Sequence, residues 1–154
     1  MDEAKIHEIH AWLNKALYDF RSAERLLTGP DPLCDPAGFH SQQAAEKALK
    51  AYLTWHDEPF ERIHSLVALV AQCLALDPSF VELRAAATTL TPYAVASRYP
   101  GDLPELTEAE ARECLVPSLP DQEVREVAFG TLLEDDPKAL VHLHEQYHWA
   151  TDLA

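Results

Sequence analysis

The segment FHSQQAAEKALKAYL, at 39–53, carries the polar side chains with the clearest chemical potential. On a helix, Gln43, Lys47 and Lys50 lie at i, i+4 and i+7 and share one face. Two ammonium groups beside an amide can hold an anion such as a phosphate. Glu46 lies four residues before Lys50, which is the order that favours an ion pair. The alternative is an amphipathic core helix whose Gln and Lys side chains are simply solvated.

A second group of candidates lies further along the chain. His64 precedes an apolar run, where it can line a pocket beside the lysines or form a hydrogen bond across the turn. Arg98 can bind a phosphate through two parallel hydrogen bonds, while the Tyr99 ring stacks on a base. The alternative for Arg98 is capping of helix-terminal carbonyls or pairing with an acid. We therefore predict a ligand-binding set made of Gln43, Lys47, Lys50, His64, Arg98 and Tyr99.

Metal and cofactor signals are weaker. His144 and His148 lie at i and i+4, the spacing of a two-histidine metal pair, with Glu145 nearby. Surface or half-buried histidines are the favoured alternative. The four glycines cannot build a phosphate-binding glycine-rich loop, and no G-x-S-x-G is present. The sequence therefore predicts no cofactor and no metal.

The elements that must position these residues are helical. Apolar residues recur at spacings of three and four almost throughout, and no stretch alternates convincingly at period two. Asp35 followed by Pro36 predicts an N-cap and the first residue of a helix. Thr107 and Glu110 form the T-x-x-E capping box. The predicted helices span 2–27, 37–55, 64–76, 78–90 and 107–115, and two more are predicted after 115.

Composition and charge bound the class of protein. A hydrophobic fraction of 47% and a charged fraction of 25% over 154 residues are ordinary for a globular domain and exclude disordered or fibrous classes. The net charge is −14, and residues 101–154 hold 13 acidic against 3 basic side chains. This balance argues against non-specific DNA binding, which needs clustered Lys and Arg. The acidic C-terminal third is either a solvated surface or a contact for a basic partner.

Cysteine usage and hydropathy predict the cellular compartment of the protein. Three scattered cysteines do not suit a disulfide framework, and the N-terminal segment carries acids without an apolar core. No apolar run approaches the roughly 20 residues of a membrane span. The expectation is a cytoplasmic protein without membrane association.

The pattern as a whole resembles the HEPN domain family. The resemblance rests on Trp12, the segment 39–53, the His64-Ser65-Leu66 helix start and the Arg98-Tyr99-Pro100 loop, which occur in the family's order. It implies an up-and-down bundle of about five helices at 1–115, and the region at 116–154 is an additional acidic, helical extension. It also implies a homodimer, a minimal nucleotidyltransferase partner and a role in a toxin–antitoxin pair.

The resemblance leaves three functions open. Ribonuclease members of the family carry an Arg followed four to six residues later by His, and no Arg in this chain meets that spacing. Binding of a nucleotide, RNA or a nucleotidyltransferase partner is therefore the favoured hypothesis. The runner-up is a divergent, metal-independent ribonuclease with His64 as acid or base and Arg98 stabilising phosphorane charge. The third is a purely structural, dimerising subunit.

Overall fold

The structure is a computed structural model that describes residues 3–60, 62–96, 100 and 104–115 of the chain. All regular secondary structure in these ranges is helical, and no strand occurs in them. The predicted all-α bundle is therefore confirmed. The elements are α1 (Glu3–Leu26), α2 (Cys34–Trp55), α3 (Leu66–Leu76), a 3-10 helix (Pro78–Leu83), α4 (Arg84–Leu90), α5 (Tyr93–Ala96) and α6 (Glu108–Leu115).

The two long helices α1 and α2 form an antiparallel pair. Lys5 near the start of α1 bonds Asp57 just after the end of α2, with 2.7 Å between Nζ and Oδ2. At the other end, Leu27 and Ala37 share one apolar cluster. Apolar residues at spacings of three and four along α1 are buried, as expected for one face of a helix. Its core with α2 comprises Ile9, Leu13, Leu17, Phe20, Ala44 and Ala51.

The start of α2 differs from the prediction. The helix begins at Cys34, and Asp35 is not its N-cap. The Asp35 carboxylate instead accepts a hydrogen bond from the Leu106 backbone N–H at 2.9 Å. Asp35 therefore bonds the distant Leu106 segment instead of capping α2. Gly38 permits this approach, because a Cβ at that position would overlap the Leu106 side chain.

The start of α3 leaves His64 outside the helix. Ser65 is the N-cap, and its hydroxyl accepts from the Ala68 backbone N–H at 3.3 Å. The predicted start at 64 is therefore two residues early. Downstream, Asp77 caps the next element, and its carboxylate accepts from Ser79 N–H at 2.8 Å. The predicted single helix at 78–90 is a 3-10 helix followed by α4.

Helix α6 closes the bundle over the α1–α2 turn. The predicted capping box is confirmed: Thr107 N–H donates to the Glu110 carboxylate at 2.9 Å, and Glu110 N–H donates to the Thr107 hydroxyl at 3.3 Å. Arg112 ties α6 to α1 by donating to the Leu27 carbonyl at 2.6 Å. Across the described ranges, no helix has the length and apolar character needed to cross a membrane.

Candidate functional site

Glu46 lies at the centre of a polar cluster on α2. Its carboxylate accepts hydrogen bonds from Lys50 Nζ at 2.7 Å and from Gln42 Nε2 at 3.1 Å. The third partner is His64 Nδ1, at 3.1 and 3.2 Å from the two carboxylate oxygens. Only 5% of the Glu46 side chain is exposed, so these three groups supply its solvation. The predicted ion pair with Lys50 is confirmed.

The ionisation of Glu46 follows from these contacts. Burial raises the pKa of the Glu46 carboxyl and is the largest single influence on it, but the hydrogen bonds from Lys50, Gln42 and His64 and the positive charge of Lys50 together outweigh it. The net effect holds the pKa of Glu46 below its ordinary value of 4.5. Glu46 is therefore a carboxylate at neutral pH and acts only as an acceptor.

Lys50 is sealed inside the bundle. Its ammonium lies 5.4 Å from the centre of the Trp12 ring and 5.5 Å from that of Phe60. The two rings meet edge to face with centroids 5.9 Å apart. Cation–π contacts of this kind stabilise a buried charge that already has a carboxylate partner. The expectation that Lys50 shares an accessible face with Gln43 and Lys47 is wrong, because Lys50 turns toward α1.

A second polar cluster joins α2 to α1 through Asp19. Lys47 Nζ donates to Asp19 Oδ2, and His40 Nδ1 lies 2.9 Å from Asp19 Oδ1. Lys47 also donates to Gln43 Oε1 at 3.2 Å. These side chains are only partly buried, with exposed fractions of 16% for Asp19 and 31% for His40. The Asp19 cluster is therefore partly exposed to solvent, whereas the Lys50 side chain is only 7% exposed.

Two amide side chains connect the clusters. Gln43 Nε2 donates to Gln42 Oε1 at 2.7 Å, and Gln42 Nε2 donates both to Glu46 and to the His64 carbonyl at 3.1 Å. Gln42 is fully buried, so its amide ties α2 to the segment that precedes α3. We call the connected set the α2 polar network. It comprises Asp19, His40, Gln42, Gln43, Glu46, Lys47, Lys50 and His64.

His64 brings the α2 polar network to the surface. Because it precedes the N-cap of α3, its ring is 62% exposed while Nδ1 stays on Glu46. An imidazole anchored at one nitrogen and open at the other is suited to proton transfer or to hydrogen bonding with a ligand. His64 is therefore the network member best placed to meet a ligand.

The predicted site residues are thus only partly brought together. Gln43, Lys47 and His64 belong to one network, and Lys50 belongs to its buried part. Arg98 and Tyr99 lie outside the described residues, so their part in the site stays a prediction. Sequence reasoning did not select four members as site residues: Asp19, His40, Gln42 and Glu46.

Metal binding and thiol chemistry find little support in the described ranges. These contain no group of three His, Cys, Asp or Glu side chains that could hold a metal ion. Burial raises the pKa of Cys73 to about 12 and that of Cys114 to about 11, so both thiols stay protonated. His144 and His148 lie outside the described residues. Their segment HEQYH matches the H-E-x-x-H pattern, but the prediction for these two residues is surface or half-buried histidines without a metal, and it stays a prediction.

Comparison with known proteins bears on this arrangement. The family model described as HEPN domain matches residues 9–116, which include every member of the α2 polar network. Comparison with curated proteins and with solved structures gives no significant match. Because the match covers more than two thirds of the sequence, the chain belongs to the HEPN domain family.

Proposed function

We propose that this HEPN chain binds a nucleotide-type ligand at the exposed edge of α2, as one component of a toxin–antitoxin-like pair. The observation that supports the proposal is the α2 polar network, in which hydrogen bonds through Gln42 connect Lys47 and Gln43 on α2 to the exposed His64 before α3. An ammonium, an amide and an imidazole are the groups that bind phosphates, bases and sugars. Arg98 and Tyr99 complete the proposed site as phosphate contact and stacking platform.

Lys47 is the lysine that can serve a ligand. Its partner Asp19 also holds His40 through its other oxygen, at 2.9 Å, so that the carboxylate keeps a hydrogen bond when Lys47 turns away. Lys50 has no such freedom, since leaving Glu46 would place its charge against Trp12 and Phe60. Lys50 accordingly leaves the ligand-binding set and takes a structural role.

Calorimetry on the full chain with ATP, GTP and a short RNA tests this proposal. Lys47→Ala and Arg98→Ala should each weaken binding by about tenfold, the loss expected for one charged hydrogen bond. Lys15→Ala is the matched control, because Lys15 is an exposed lysine on α1. Absence of heat with every ligand, or unchanged affinity in both variants, would contradict the proposal.

A protein partner that handles nucleotides is a further part of the proposal. We propose a minimal nucleotidyltransferase as that partner and a homodimer as the state of the HEPN chain alone. Light scattering of the purified chain measures the dimer. Co-expression with a small nucleotidyltransferase from the neighbouring reading frame, followed by gel filtration, tests the pair. A monomer that never co-elutes with such a partner would contradict both statements.

Metal-independent cleavage of RNA is the second candidate function. The observation that favours it is the exposed His64 ring held by the buried Glu46 carboxylate, an arrangement that suits general acid–base catalysis. Arg98 would stabilise the charge that develops on the phosphorane. RNA incubated with the pure protein in EDTA should then be cleaved by the wild type and not by His64→Ala. Intact RNA after prolonged incubation would reject this candidate.

A further inference from the structure

We infer that Glu46 fixes the His64 imidazole as its Nδ1–H tautomer, so that Nε2 accepts a hydrogen bond from a ribose hydroxyl of the ligand. Glu46 is thus a positioning residue, and His64 selects ribonucleotides. The inference deepens the proposed function and rests on it. Its first part, the tautomer, follows from the contacts between His64 and Glu46.

The direction of every hydrogen bond around Glu46 is determined by chemistry. Lys50 Nζ can only donate, and it lies 2.7 Å from the carboxylate. Gln42 reaches Glu46 through its amide nitrogen, which also only donates. An ionised carboxylate has no proton to give, so His64 Nδ1 must carry the proton it shares with Glu46.

The donors and acceptors of the α2 polar network can also be assigned from its other end, starting at Lys47. Lys47 donates to Gln43 Oε1, which leaves Gln43 Nε2 as the donor to Gln42 Oε1. Gln42 then has only its two N–H groups left, and these point to Glu46 and to the His64 carbonyl. The amide orientations are therefore fixed from Lys47, independently of the Glu46 argument. Glu46 is thus the acceptor of the hydrogen bond from Gln42, whether the network is traced from Lys50 or from Lys47.

The tautomer determines which groups of a ligand can form a hydrogen bond with His64. With the proton on Nδ1, the neutral ring carries a lone pair on Nε2. The ring is 62% exposed, and within the described ranges no group forms a hydrogen bond with Nε2. A phosphate oxygen without a proton cannot donate to this lone pair. A ribose hydroxyl can, and it is the donor that all ribonucleotides share.

The tautomer is tested by NMR on the full chain at pH 8. In a long-range ¹⁵N–¹H spectrum, the signals lost in His64→Ala identify the His64 ring. We expect a protonated Nδ1 and an unprotonated Nε2. The same spectrum of His7→Ala, an exposed histidine on α1, controls for general effects of removing a ring. An Nε2–H tautomer in the wild type would overturn the inference.

The sugar contact is tested by calorimetry with ATP, 2′,3′-dideoxy-ATP and ITP. Loss of one neutral hydrogen bond should weaken binding of the dideoxy nucleotide by about two- to tenfold in the wild type and in His7→Ala. In His64→Ala, ATP and dideoxy-ATP should bind equally. ITP, which lacks the exocyclic amine of ATP, should bind as ATP does.

The outcomes separate the inference from the proposed function. Equal affinity of the wild type for ATP and dideoxy-ATP overturns the sugar contact while leaving nucleotide binding in place. A penalty for ITP with none for dideoxy-ATP overturns it in favour of a base contact. Failure of all nucleotides and RNA to bind overturns the proposed function and the sugar contact together. The tautomer measurement still decides whether Glu46 positions His64.

Discussion

Replacing Glu46 by leucine should destabilise the bundle severely. The side chains of Glu46 and Lys50 are only 5% and 7% exposed, so the substitution leaves a charged ammonium in an apolar site. Removing one partner of a buried ion pair lowers the free energy of unfolding by about 3–5 kcal/mol. Trp12 and Phe60 retain their contacts with Lys50, but ring faces do not replace a carboxylate.

This magnitude is large against the stability of a whole domain. Domains unfold with about 5–15 kcal/mol, so at the middle of that range Glu46→Leu removes about 30–50% of the free energy of unfolding. A domain of this size loses about 2–4 °C in Tm for each kcal/mol. The expected fall in Tm is therefore about 6–20 °C. Urea unfolding followed by circular dichroism measures the free energy directly.

Two further variants show whether burial is the cause. In Glu46→Leu/Lys50→Met the stranded charge is gone, and at least about 2 kcal/mol should return relative to Glu46→Leu alone. Glu108→Ala removes the carboxylate of an ion pair with the same i,i+4 spacing, but there both side chains are 51% exposed. This control should lose less than about 1 kcal/mol. Equal losses for Glu46→Leu and Glu108→Ala would refute the argument.

Three other outcomes are expected. Because the folded pKa of Glu46 lies below its ordinary value of 4.5, the contribution of Glu46 to stability should be fully present above pH 4.5 and be lost as the pH falls through the folded pKa. Glu46→Leu/Lys50→Met should therefore flatten the acid fall in stability measured by urea titration. Gly38→Val should lower the free energy of unfolding by about 1–3 kcal/mol, because the new side chain overlaps Leu106. Leu106→Ala should then cost less free energy of unfolding in the Gly38→Val variant than in the wild type. Ser65→Ala should lose about 1 kcal/mol in thermal unfolding, and Ser65→Asn, which keeps a capping oxygen, should lose less.

The helical elements were predictable because their signals are local. Spacings of three and four placed α1, α3 and α6 within one or two residues of their observed bounds. The capping box at Thr107 needs only neighbouring residues, and it forms as predicted. The prediction for the start of α2 was wrong because that start depends on a distant contact. Asp35 bonds Leu106, 71 residues away, and no local pattern indicates that contact.

The candidate site was less predictable because burial decides its chemistry. The i,i+4 spacing indicates that Glu46 and Lys50 pair, but not that the pair turns into the bundle while Lys47 stays partly exposed. Asp19 bonds side chains 21 and 28 residues away, across the α1–α2 packing. Such contacts depend on the register of one helix on the other. Single-helix periodicity therefore finds the face of α2 and misses the partners that neutralise it.

The charge balance of the α2 polar network predicts how salt affects the affinity for RNA. With neutral imidazoles, the α2 polar network holds two carboxylates and two ammonium groups, so its net charge is zero. Proteins that neutralise 6–10 phosphates lose roughly a thousandfold or more in affinity between about 50 and 200 mM salt. Here Lys47 and Arg98 supply at most two such contacts. The affinity for a short RNA should therefore fall by less than about tenfold over that range in fluorescence titrations. A thousandfold fall would mean that a separate basic surface binds the RNA.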